Sequence, residues 1–118
     1  SYDLMGNNVS ANAWHHAAAV YTASNNVVTL YLDGNQVAAG ALSSHTTEGN
    51  SIALSIGRNG TTGNYWNGKL DDVRVWNIAR TAAEIQSHVT QPPTGSEAGL
   101  VGYWRLDESS GATGPPTR

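Results

Sequence analysis

Apolar and polar side chains alternate along this chain in short runs, each closed by glycine, asparagine or proline. From Leu70 to Trp76, the set Leu70, Asp72, Arg74 and Trp76 alternates with Asp71, Val73 and Val75, which describes a strand with two unlike faces. Val28, Leu30 and Leu32 likewise stand opposite Val27, Thr29 and Tyr31, and Ile52, Leu54 and Ile56 opposite Ser51, Ala53 and Ser55. Each of these runs reads as a half-buried strand. Asp33-Gly34 sits between Leu32 and a return run from Val37 to Leu42. Asp tolerates and Gly readily adopts positive φ, so the pair predicts a tight hairpin. Strands are expected near residues 13–21, 27–33, 36–42, 51–57, 68–77 and 99–107. The period changes once. Thr81 followed three residues later by Glu84 fits a capping box, which predicts a short helix near 81–89 that Pro92 and Pro93 stop.

The order of these pieces carries a family resemblance. GKLDDVRVWNIARTAAEI at Gly68 to Ile85 resembles the closing strand and helix of the laminin-G-like, concanavalin A-like jelly rolls. WHHAAAVY at Trp14 to Tyr21, VVTLYLDGNQV at Val27 to Val37 and SIALSIGRNG at Ser51 to Gly60 resemble strands that precede it in that family. Each motif alone is weak; their order over about Ala13 to Val89 is fairly specific. The resemblance implies an all-β, two-sheet jelly-roll sandwich with one short helix.

GLVGYWRLDESSG at Gly99 to Gly111 resembles the family's first strand, yet here it comes after the last. Residues 1–90 then read as the C-terminal part of the family pattern, 91–98 as a linker, and 99–118 as a first-strand segment of the same repeat or the next. The family's middle strands have no counterpart, so the sandwich is either incomplete in these residues or completed by strand exchange. Open edges and uncovered apolar interior call for a partner. In the exchange reading Leu100, Tyr103, Trp104 and Leu106 would enter a neighbouring copy, building a homo-oligomer or filament. The competing reading is a misplaced domain boundary, or strands that close the sandwich within one chain.

Composition narrows the function classes. A formal charge of −3 with six basic residues in 118 leaves no basic patch for nucleic acid or anionic membranes. Without cysteine there is no disulfide framework, thiolate metal site or cysteine nucleophile. No apolar run approaches the ~20 residues of a membrane span, and no basic segment precedes an apolar core, so neither a transmembrane helix nor a signal peptide is expected in these residues. The three glycines at 57, 60 and 63 lack the Lys-Ser/Thr of a phosphate loop.

Candidate chemistry remains at three places. Asp71 and Asp72, with Asp107 and Glu108, form carboxylates at two strand ends that would meet if those strands pair, and oxygen ligands in that number suit Ca²⁺. The resemblance implies a structural calcium there, carried by Asp71 and Glu108; the alternative is that Asp72 pairs with Arg74 or Arg105 and no ion binds. Asn64, Tyr65 and Trp66 offer flat faces beside an amide, as a glycan requires. Core packing is expected of Trp14, Trp66 and Trp104, leaving Tyr65 to stack. His15 and His16 are adjacent and face opposite ways on a strand, so they form no clamp; with His45 and His88 they are expected to be structural. No glycosidase carboxylate motif, HExxH, GxSxG or Walker motif occurs. The expected function is a noncatalytic extracellular or cell-surface adhesion module that self-associates, with a carbohydrate-binding module as the alternative.

Overall fold

The computed structural model describes residues 9–42, 53–58 and 63–106. Among them run β1 (Ala17–Thr22), β2 (Val27–Leu32), β3 (Asn35–Ala41), β4 (Val73–Trp76), α1 (Ala82–Thr90) and β5 (Leu100–Trp104). They form a three-stranded sheet of order β1-β2-β3 and a two-stranded sheet of β4 and β5, with every pairing antiparallel. This is the expected all-β sandwich with a single short helix.

The β2–β3 turn obeys its sequence. Asp33 and Gly34 have φ of 51° and 84°, the positive pair that matches a tight turn to the twist of its strands. Gly34 is also needed for packing, because a Cβ there would lie 2.9 Å from Gln86 Cγ on α1. Gln86 Nε2 donates to the Gly34 carbonyl at 3.1 Å, so the helix is docked over the hairpin. At the N-terminus of α1 both halves of the capping box form: Glu84 N donates to Thr81 Oγ1 at 3.2 Å and Thr81 N to Glu84 Oε1 at 3.1 Å.

The second sheet is set by a bulge. Val73, Arg74 and Val75 pair with Trp104, Tyr103 and Gly102 in regular register, but Trp76 pairs with Leu100. Simple alternation would place Leu100 and Tyr103 on opposite faces. The additional residue, Val101, reverses that, since a bulge sets two residues against one and re-aims the side chains beyond it. Leu100 and Tyr103 are both buried, at 0% and 1% exposure, while Val101 is 44% exposed. With Ile85 of α1 they are the buried hydrophobic side chains among the described residues.

Four expected strands are shorter or missing: that near 13–21 begins only at Ala17 and that near 99–107 covers only Leu100–Trp104. The run expected over 68–77 begins only at Val73, because Asp72 at φ 50° leaves the extended region. The strand expected near 51–57 forms no ladder over its described part: the contacts there are one bridge between Arg58 and Tyr65 and a 2.7 Å bond from Trp66 N to the Gly57 carbonyl. Alternation predicts a strand only where another strand supplies donors and acceptors, and Leu54 is left 63% exposed.

Candidate glycan-binding site

The segment Gly63 to Leu70 is held against residues 57–58 by that bridge and bond. Gly57 and Gly63 have positive φ of 84° and 73°. The result is a short platform on which Tyr65 is 73% and Trp66 59% exposed. The Arg58 guanidinium lies 5.8 Å from the Tyr65 ring centroid, a cation–π distance. Trp66 Nε1 donates to the Lys69 carbonyl at 3.3 Å, and a Cβ at Gly68 would crowd that nitrogen at 3.0 Å; the glycine lets the indole fold back and fixes its orientation. Asn64 is exposed beside them. An aromatic face open to water, next to a guanidinium and an amide, can stack on the apolar side of a sugar ring and bond its hydroxyls.

Core packing of the tryptophans does not hold for Trp14 and Trp66, which are 66% and 59% exposed. Both stand in non-strand segments of the described chain, and no described strand lies over them. Trp104 is half-buried, its ring folded across Gly102, where a Cβ would meet Cζ3 at 2.7 Å. Exposure of Trp66 strengthens the stacking platform instead of weakening it. Arg58 was not expected there; its only sequence signal is its place one residue after Gly57, in a glycine-rich stretch of the sequence.

The acidic candidates are only half described. Asp71 Oδ1 accepts from the Asp72 backbone N–H at 2.9 Å, and Asp72 Oδ1 accepts from the Tyr103 hydroxyl at 2.9 Å. Asp72 thus engages a tyrosine, not Arg74 or Arg105. Burial, together with that carboxylate, pushes the Tyr103 phenol above its ordinary value. Arg74 and Arg105 lie over the Tyr103 ring at 5.9 and 5.3 Å. Asp107 and Glu108 lie outside the described residues. The Asp72 N–H meets the Arg105 carbonyl at 3.5 Å. Among the described residues no three acidic or histidine side chains gather to hold an ion, and two carboxylates alone fall short of the six to eight oxygens calcium takes.

Of the residues expected to donate to a neighbour, Leu100 and Tyr103 are occupied at home. β5 pairs with β4 of its own chain, Leu100 and Tyr103 are buried there, and Leu106 is 43% exposed. The edge of β4 that a donated strand would fill is already taken, because the two segments that resemble first and last strands lie side by side within one chain.

The histidines diverge, as adjacent residues must. His15 Nδ1 is 2.8 Å from Asp33 Oδ2. His16 turns inward, where burial and the Arg74 charge hold its pKa below the ordinary value; its Nδ1 and Arg74 Nε are buried without a hydrogen-bond partner among the described residues. His88 stacks against Trp76 with centroids 6.2 Å apart and donates from Nδ1 to the Gln91 carbonyl at 2.8 Å. His45 lies outside the described residues.

Comparison with known proteins agrees with this architecture. The laminin G-type family described as the concanavalin A-like lectin/glucanases superfamily matches residues 2–86. A crystal structure of a candidate carbohydrate-binding protein from Bacteroides ovatus superposes with a TM-score of 0.79 at 26% identity, over 96% of this chain and 33% of its own. An S-layer domain-containing protein from Clostridium thermocellum superposes with a TM-score of 0.51 at 23% identity, over 72% of this chain and 43% of its own. The chain therefore spans a third to less than half of these structures. No curated protein matches it. No helix among the described residues is long and apolar enough to cross a membrane.

Proposed function

The chain belongs to the concanavalin A-like lectin/glucanases superfamily, and we propose that it acts there as a carbohydrate-binding module of a secreted or cell-surface protein, holding glycan without cleaving its glycosidic bonds. The observation that carries this reading is the open platform of Tyr65 and Trp66, with Arg58 over the tyrosine ring. Likeness to the Bacteroides ovatus protein supports it at the level of ligand class. The absence of a glycosidase carboxylate motif in the sequence supports the noncatalytic part. Binding energy would come from one or two stacked rings, so millimolar to micromolar affinity is expected for a single sugar unit.

Glycan-array binding by the folded chain, compared with Tyr65→Ala, tests the proposal. The variant removes the more exposed ring and should lose at least about tenfold in affinity, roughly 1.4 kcal/mol, at an unchanged melting temperature. An array without hits on folded protein, or equal binding by the variant, refutes it. Self-association by strand exchange would now require β5 to leave β4 and take the same register on a neighbour, a domain swap that gains no new contacts. The glycan reading is favoured for that reason.

A further inference from the structure

We propose that Ser10, His15 and Asp33 form a nucleophilic triad that cleaves carboxylic esters carrying a short apolar acyl group. Ser10 Oγ is 2.9 Å from His15 Nε2, and His15 Nδ1 is 2.8 Å from Asp33 Oδ2. This is the order of atoms in which a base activates a hydroxyl while a carboxylate orients the base. The residues lie 5 and 18 positions apart in the chain, so only the fold brings them together, and the activity is separate from glycan binding.

The carboxylate is the best-held member. Asp33 occupies the first position of the β2–β3 turn at φ 51°. Its backbone N–H donates to the His16 carbonyl at 2.7 Å, and its Oδ1 accepts from the His16 N–H at 2.8 Å. The hydrogen bond from His15, then that from the His16 backbone, holds its carboxyl below the ordinary value, so it is ionised at neutral pH. An ionised oxygen at Nδ1 selects the tautomer with its proton there, which leaves the Nε2 lone pair facing the serine hydroxyl. The His15 and Asp33 side chains are 21% and 42% exposed, and Ser10 is exposed, open to a substrate.

An apolar cleft of about 370 Å³ is lined in part by Val9, Ala17, Leu30, Leu32 and Val37. Val9 and Leu32 are the chain neighbours of Ser10 and Asp33. A cleft of this size and lining suits a short acyl chain. As Ser10 Oγ bonds to the carbonyl carbon, His15 Nε2 takes the hydroxyl proton, and Asp33 offsets the imidazolium charge. Collapse breaks the bond to the leaving oxygen, which receives that proton and departs as the alcohol or phenol. Water then attacks the acyl-serine with His15 as base; the carboxylic acid leaves and the proton returns to Ser10. Ser10 and His15 are the catalytic residues and Asp33 positions them.

The test uses the whole chain with p-nitrophenyl butyrate and a fluorophosphonate label. Wild type should form a covalent adduct on Ser10 and hydrolyse the ester at least about tenfold faster than Ser10→Ala. Ser10 lies outside the strands, so that variant should melt as wild type does. Asp33→Asn, which retains an acceptor for the His16 N–H but favours the wrong tautomer, should lower kcat by at least about tenfold while leaving KM unchanged. Absence of an adduct on folded protein, a Ser10→Ala rate equal to wild type, or an Asp33→Asn kcat equal to wild type overturns the proposal. Each of these assigns the three side chains to a clasp between the N-terminal segment and the hairpin.

Discussion

Replacing Gly34 by alanine separates two costs that this fold combines at one position. The residue sits at φ 84°, where an L side chain costs about 1–2 kcal/mol. The new Cβ would also lie 2.9 Å from Gln86 Cγ, 3.3 Å from Val89 Cγ2 and 3.4 Å from the Gln86 backbone, wedging α1 away from the hairpin; overpacking of this kind costs about 1–3 kcal/mol. The sum, about 2–5 kcal/mol, is a large part of the stability of an ordinary domain. Gly63 supplies the control. Its φ is 73° and a Cβ there meets nothing within 4 Å among the described residues, so Gly63→Ala should show the backbone cost alone. The loss of unfolded-chain entropy is common to both substitutions and cancels in the comparison. Urea unfolding of the two variants should differ by about 1–3 kcal/mol, with Gly34→Ala the weaker. Adding Gln86→Ala to Gly34→Ala removes the nearest atom of the wedge, and should return at least about 0.5 kcal/mol as coupling. Equal losses at the two glycines, or strict additivity with Gln86→Ala, would refute the docking of α1 on the hairpin as the reason Gly34 is a glycine.

Four further outcomes are expected of the same structure. Burial opposes ionisation of Glu97, but hydrogen bonds from the Thr94 side chain and backbone and from the Gly95 backbone outweigh it and hold its carboxyl at about 2, against an ordinary 4.5; its contribution is complete above 4.5 and is lost as pH falls towards 2, a loss that NMR titration should show and Glu97→Gln should remove. His16, held below 6.5 by burial and Arg74, destabilises the fold as pH falls below 6.5, so His16→Gln should flatten stability between pH 7 and the depressed value. Calcium held by Asp71, Asp72, Asp107 and Glu108 would stabilise the chain by about 2.7 kcal/mol at a hundredfold excess over Kd; a melting temperature indifferent to calcium and to chelator removes the ion. Amides of Leu100 to Trp104 should be protected from hydrogen exchange in the monomer, and deleting residues 99–118 should unfold the chain by taking Leu100 and Tyr103 from its core, whereas an intact fold that merely fails to associate would restore strand exchange.

Whatever depends on neighbours in the chain was legible in the residues themselves. Alternation placed β2 and β4, the family resemblance placed β1, Asp33-Gly34 placed the hairpin and its return strand β3, and Thr81 with Glu84 placed the helix start, because pleat, positive φ and capping are satisfied within a few residues. Order along the chain was enough to point to the superfamily. Tertiary structure decided what those local rules leave open. Among the described residues it gave 53–57 no ladder, so a sound alternation did not become a strand there. It inserted Val101 as a bulge, which turned Leu100 and Tyr103 to one side and returned β5 to its own chain. It left Trp14 and Trp66 in the open, where composition alone would bury them, and so made the candidate glycan platform. It also joined Ser10, His15 and Asp33, whose separation along the chain carries no periodic signal. Burial and long-range hydrogen bonding belong to the whole arrangement of elements, and no short stretch of sequence contains them.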